Sequence, residues 1–145
     1  MGHKFVSIFG LMVLGFSQVL LADVDISFSS APEGAEVYFI TPQNGDTVAE
    51  TFTVKFGLSG MGVAPAGIQR DNTGHHHLLI DSKALPDMSK PLPATDHIRH
   101  FGGGQTEVEL QLPPGEHSLQ LLLGNHVHIP HNKPVLSEKI VITVK

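Results

Sequence analysis

The sequence contains no cysteine and no tryptophan, and it has a single tyrosine. Without cysteine there can be no disulfide, no thiol nucleophile and no lipid attached through a thiol. The cysteine–tryptophan–cysteine core of antibody domains is also missing. Stability must therefore come from burial of apolar side chains, and 145 residues are enough for one domain that achieves this.

Positive charge is scarce as well. Nine Lys and Arg residues stand against 14 Asp and Glu residues, which gives a formal net charge of −5. A nucleic-acid partner requires a basic face on the protein. We therefore expect no nucleic-acid partner.

Residues 1–22 have the pattern of a secretory signal peptide. Lys4 gives a positive start, residues 5–21 are almost entirely apolar, and Ala22 is a small residue suited to cleavage. An uncleaved membrane anchor is the alternative, but a span needs about 20 apolar residues and this run is shorter and interrupted by Gly, Ser and Gln. The sequence thus predicts an exported, periplasmic protein with no membrane span after cleavage.

The remaining chain reads as a linker over residues 23–34 and one domain over residues 35–145. Several short segments of this domain alternate apolar and polar residues, as strands with one buried face do. They are separated by turn residues, and no helical period is present. This pattern predicts an all-β fold, a single antiparallel immunoglobulin-like β-sandwich. Residues 82–104, rich in Pro and Gly, are predicted to form a long loop.

Ten histidines are present and nine lie beyond the predicted signal peptide. Side chains two apart in a strand point the same way, so His75 and His77 share one face, and His126 and His128 can share another. Neutral imidazole binds transition metals such as copper and zinc. The candidate metal ligands are His75, His77, His97, His100, His126, His128 and His131. Three carboxylates can orient the rings or add ligands: Asp81, Asp96 and Glu107.

The same histidines can instead donate hydrogen bonds to loop carbonyls and brace the fold without any metal. His76 should face away from His75 and His77, and His117 shares its face with Leu119 and can sit at the edge of the core. No H-E-x-x-H or Cys/His finger spacing is present. Two functions therefore stay open: a protein that binds copper or zinc, and an envelope or interaction module with structural histidines.

No motif indicates an enzyme. A G-x-S-x-G elbow is absent, and the three glycines at 102–104 precede a predicted strand rather than a helix that could cradle phosphate. We therefore expect a non-catalytic protein whose partner is a metal ion or another envelope protein. A metal-dependent enzyme is the remaining alternative, because an open metal position leaves no mark in the sequence.

Five segments together resemble a bacterial family catalogued as domain of unknown function 4399. They occur in order and are AEVYFI at 35–40, GMGVAPAG at 60–67, TGHHHLLID at 73–81, HFGGGQTE at 100–107 and HVHIPH at 126–131. The resemblance covers about residues 35–145. It implies an exported single-domain protein of Gram-negative bacteria, and it implies no catalytic residue or ligand.

Overall fold

The computed structural model describes residues 29–145 of the chain. The predicted signal peptide and the first part of the predicted linker lie outside the described residues. Within the described part the regular structure consists of strands without any helix, which confirms the all-β prediction. The nine strands are β1 Glu36–Thr41, β2 Thr47–Val48, β3 Thr51–Ser59, β4 Gly62–Val63, β5 Thr73–Ile80, β6 Ile98–His100, β7 Glu107–Gln111, β8 Gly115–Gly124 and β9 Ile140–Val144.

The strands form two sheets. The smaller one has the order β1-β3-β7 and is antiparallel throughout. The larger one has the order β2-β9-β8-β5-β4, and β6 also pairs with β5. Two of its pairs, β2 with β9 and β4 with β5, are parallel. The larger sheet therefore departs from the predicted antiparallel arrangement at these two positions, where strands of two residues are too short for their direction to show in the sequence.

Side chains of both sheets share one hydrophobic core. Leu78 of β5 and Leu119 and Leu121 of β8 contribute from the larger sheet, and Val54 and Phe56 contribute from β3 of the smaller one. Each of these side chains is at least 99 % buried. The alternation of apolar residues along β3 and β8 places these side chains on the inner faces.

The outer face of the larger sheet is covered too, which explains why β5 is buried along nearly its whole length. Leu79 of β5 and Leu122 of β8 point outward and pack with Leu92 and Ile98 in a second, smaller apolar cluster. Leu92 also donates a backbone hydrogen bond of 2.9 Å to the carbonyl of His128. The chain segments that cross this face thus enclose a space above β5, and two histidines of β5 point into it.

Candidate metal centre

Four imidazoles converge on the outer face of the larger sheet. They belong to His75, His77, His100 and His128, and each offers one ring nitrogen within 4.8 Å of the nitrogens of the other three. The ring centroids are between 4.6 and 6.0 Å apart. We call this group the histidine cluster. The structure therefore brings together four of the seven candidate ligands.

Strand geometry positions three of the four rings. His75 and His77 are two residues apart in β5 and so point to the same face. Strand β6 runs antiparallel to β5 and places His100 directly opposite His77. Side chains that are opposite each other in an antiparallel pair lie on the same face and close together. The three rings therefore stand side by side on the sheet.

The fourth ring comes from a turn rather than from a strand. After β8 ends, the side-chain oxygen of Asn125 accepts hydrogen bonds from the backbone N–H groups of Val127 and Ile129, both at 3.0 Å. The carbonyl of Asn125 accepts a third, at 2.9 Å, from His128, whose φ is 68°. The turn brings Nδ1 of His128 to 3.1 Å from Nε2 of His75.

A glycine makes room for the cluster. Gly124 of β8 is opposite His75, and a Cβ atom at this position would lie 2.7 Å from Cε1 and 3.2 Å from Nδ1 of His77. Gly102 likewise leaves room for the ring of His100, because a Cβ atom at position 102 would lie 2.7 Å from Nε2 of His100. Side chains at these two positions would take the space that the rings occupy.

The cluster has a buried floor, formed by His75 and His77, and an open rim, formed by His100 and His128. His75 and His77 are 0 % and 1 % exposed, His128 is half-buried and His100 is exposed. Burial lowers the pKa of His75 to about 4 and that of His77 to about 3, and repulsion from the neighbouring imidazoles adds to both shifts. Burial and the neighbouring His128 also lower the pKa of His100. At neutral pH these rings are uncharged, which is the form that binds metals.

Several ring nitrogens of the floor have no hydrogen-bond partner. They are Nδ1 of His75 and both nitrogens of His77. Buried polar atoms are nearly always hydrogen-bonded in folded proteins, so each such atom needs a physical reason. A metal ion bound between the rings would supply one for a single nitrogen of each ring, because each histidine offers one ligand atom to the ion.

The other three candidate ligands lie outside the cluster. His97 donates a hydrogen bond of 2.8 Å from Nδ1 to the carbonyl of Ile80, and Nε2 of His131 lies 3.3 Å from the carbonyl of Thr73. His126 is half-buried at the edge of a polar surface cavity. Because residues 126–128 form a turn where we expected a strand, His126 and His128 do not share a strand face.

The candidate carboxylates are also separate from the cluster. Asp81 accepts hydrogen bonds from Nδ1 of His117 at 2.7 Å and from the backbone of Ser118 at 2.8 Å. Glu107 forms an exposed ion pair of 3.6 Å with Lys55. Asp96 is exposed and lines a surface depression together with His100.

His76 and His117 lie where the sequence pattern predicts, one facing away from the cluster and the other at the edge of the core. His76 faces the inner core, where its ring centroid lies 4.7 Å from that of Phe56. His117 is buried at the core edge, and its Nε2 donates a 2.8 Å hydrogen bond to the carbonyl of Pro113. Gly124 and Asn125 position the rings without contributing a ligand, and neither is among the residues predicted from the sequence. An Asn directly after a strand is a common start of a turn, and that signal was available.

Within residues 29–145, no helix has the length and apolar character needed to span a membrane. A family profile described as "Domain of unknown function (DUF4399)" matches residues 54–145, which is more than half of the chain. The comparison with curated proteins finds no match.

Among solved structures, the X-ray structure of the endo-beta-1,4-mannanase from Thermotoga petrophila is similar to this chain with a TM-score of 0.46 and 19 % identity. The similarity covers 77 % of this chain and 20 % of the mannanase. The chain therefore spans about a fifth of that protein.

Proposed function

The chain belongs to the DUF4399 family, and because this family's description names no activity, we propose a function from the histidine cluster. The protein is an exported binding protein that holds one transition metal ion through His75, His77, His100 and His128. Export to the periplasm is supported by the residue pattern of positions 1–22. An immunoglobulin-like arrangement of the two sheets is part of the same proposal and is supported by their shared core.

The observation that carries this proposal is the convergence of four imidazoles, with unpaired nitrogens on the two buried rings. Metal–nitrogen bonds of zinc are about 2.0–2.1 Å long, so two donors on one ion are at most about 4.2 Å apart. The four candidate atoms lie within 4.8 Å of one another without a metal. In a tetrahedral site two donors with bonds of about 2.0–2.1 Å are only about 3.3 Å apart, so the rings would have to close in by up to about 1.5 Å, mainly through the two solvent-accessible rings, to complete a four-coordinate site.

Copper and zinc are the metals that we propose for this donor set. Imidazole suits both ions, and no sulfur ligand that would select a softer ion belongs to the cluster. The Irving–Williams order places Cu(II) above Zn(II) for a site of this type. We expect both ions to bind and copper to bind more tightly.

A second candidate function is an envelope or interaction module in which the histidines are structural. It is favoured by hydrogen bonds of His97 and His131 to carbonyls at the two ends of β5, and of His117 to a carbonyl in the turn before β8. These bonds brace the ends of strands and need no metal. This alternative predicts that replacing a cluster histidine changes stability and leaves metal affinity unaltered.

Calorimetric titration of the untagged protein with Zn(II) and with Cu(II) tests the proposal. We expect one ion per chain, and at a free metal concentration 100 times Kd the ion should stabilise the fold by about 2.7 kcal/mol. For a domain of this size that is a rise in Tm of roughly 10 °C, reversed by a chelator.

The decisive comparison uses His77→Ala against the matched control His97→Ala. The first removes a buried cluster ring, and the second removes an exposed histidine that lies outside the cluster. We expect His77→Ala to abolish the tight site and His97→Ala to retain it. Equal metal affinity in the two variants would reject the metal site and favour the structural alternative.

A further inference from the structure

All ligands of the proposed metal site are electrically neutral. Among residues 29–145, the group of converging donors contains four imidazoles and no carboxylate or thiolate. Metal sites in proteins commonly include anionic ligands that offset the charge of the ion. A divalent ion in this cluster would keep its full charge of +2.

The surrounding chain offers little to balance that charge. Asp81 is held by His117 and Ser118, and Glu107 is paired with Lys55. Asp96 lines the same depression as His100, but it is exposed to solvent and is not one of the converging donors. The inner side of the site is the apolar core and its flank is the second apolar cluster around Leu79. An uncompensated charge in such surroundings is unfavourable, because burial in a medium of low dielectric constant removes its hydration.

One side of the site is open to solvent. His75 and His77 close the floor, whereas His100 is exposed and His128 is half-buried. A ligand from solution therefore reaches the ion from the rim without any movement of the sheet. Copper and zinc both accept a fifth ligand, and zinc sites expand to five ligands during catalysis.

We propose that a divalent metal ion in the histidine cluster takes a small anion from solution as an additional ligand, bound on the rim side next to His100. The ligand class is that of small coordinating anions such as carboxylates, halides and azide. This inference rests on the proposed metal site. It follows from the neutral donor set, the absence of a carboxylate among the converging donors and the exposure of the rim. A monovalent ion such as Cu(I) carries half the charge and should depend less on an anion.

The test uses the untagged protein loaded with one equivalent of Cu(II), with azide as the probe. Retention of copper after desalting is measured first, and this step alone decides whether the metal site exists. Azide is then titrated at constant pH and ionic strength, with perchlorate as the non-coordinating salt. We expect a saturable azide-to-copper charge-transfer absorption and a matching change in the EPR spectrum.

Two comparisons sharpen the result. Zn(II) affinity should be severalfold higher in acetate than in perchlorate at equal ionic strength, whereas Cu(I) affinity, measured anaerobically, should be the same in both salts. The variant Asp96→Asn addresses a rival source of negative charge, because Asp96 lines the same depression as His100. We expect this variant to bind azide as the unaltered protein does.

Each contrary outcome has a distinct meaning. Copper that stays bound but gives no azide band shows a closed four-imidazole site and overturns the inference, while the metal site stands. Azide binding that appears only in Asp96→Asn shows that the chain supplies its own anion, which also overturns it. Failure to retain copper rejects the proposed function and this inference with it.

Discussion

The substitution Gly124→Ala tests whether the histidine cluster is a pre-formed site. The added Cβ would lie 2.7 Å from Cε1 and 3.2 Å from Nδ1 of His77, and 3.3 Å from the carbonyl carbon of His128. His77 is 1 % exposed, so its ring cannot swing out into solvent. Overpacking of a rigid interior costs typically about 1–3 kcal/mol, and we expect the metal-free variant to lose stability in that range.

The effect on metal binding should be larger than this loss of stability suggests. A methyl group that displaces His77 and presses on the turn of His128 disturbs two of the four donors. Changes in groups that only orient metal ligands typically weaken affinity by about 10–100-fold, so a loss of at least this size is expected. Calorimetric titration with Zn(II) measures the affinity, and urea unfolding of the metal-free protein measures the stability.

The matched control is Gly57→Ala in strand β3 of the smaller sheet. Its Cβ would meet the ring of Tyr38, which is 43 % exposed and free to swing away. This variant also replaces a strand glycine with alanine, but its new Cβ would face Tyr38 rather than the histidine cluster. We expect a small change in stability and no change in affinity. Zn(II) binding by Gly124→Ala at the affinity of the unaltered protein would refute the reasoning.

Two further predictions concern histidines outside the cluster. Burial acts to lower the pKa of His117, but its hydrogen bonds to the carboxylate of Asp81 and the carbonyl of Pro113 outweigh it, so the pKa is raised above the usual 6.5. A raised pKa contributes stability that is present below about pH 6.5 and is lost as the pH rises through the folded-state pKa. We therefore expect Asp81→Asn to lower the free energy of unfolding, measured in urea, by about 1 kcal/mol at pH 5.5 and by less at pH 8. An equal loss at both pH values would contradict this. His76 faces Phe56 on the opposite side of β5 from the cluster. We therefore expect His76→Leu to keep a Zn(II) affinity within about twofold of that of the unaltered protein in calorimetry. A larger loss would show that the two faces of the strand are coupled.

The local sequence pattern was sufficient to predict the longer strands and to place two of the cluster residues on one face. Alternation over five or more residues indicates which side chains share a face, and it placed His75 and His77 together. His100 joins them through β6, a strand of three residues inside the segment predicted to be a loop. Three residues are too few for alternation to show, and the pairing of β6 with β5 joins residues 19 to 23 positions apart.

His128 shows a different reason why sequence patterns fall short. The spacing of His126 and His128 suggests a strand pair, but the side chain of Asn125 accepts two backbone hydrogen bonds and turns the chain. A side-chain oxygen that accepts from the backbone competes with the strand ladder for the same N–H groups. In this case the turn is formed, and His128 takes a positive φ while His126 points elsewhere. Deciding between the two outcomes requires the contacts of the surrounding chain.

Unpaired ring nitrogens do not identify the site by themselves, because both nitrogens of His76 are unpaired as well. His76 lies alone among aromatic side chains, where a neutral ring packs as an apolar group does. In the cluster, by contrast, the unpaired nitrogens belong to the two buried rings, His75 and His77, which face two accessible rings. The contact within hydrogen-bond distance joins two histidines, His75 and His128. Leaving buried nitrogens unpaired costs about 1–3 kcal/mol for each group. His76 shows that a fold can bear this cost for a single ring, so it is the convergence of four rings that supports the proposed metal site.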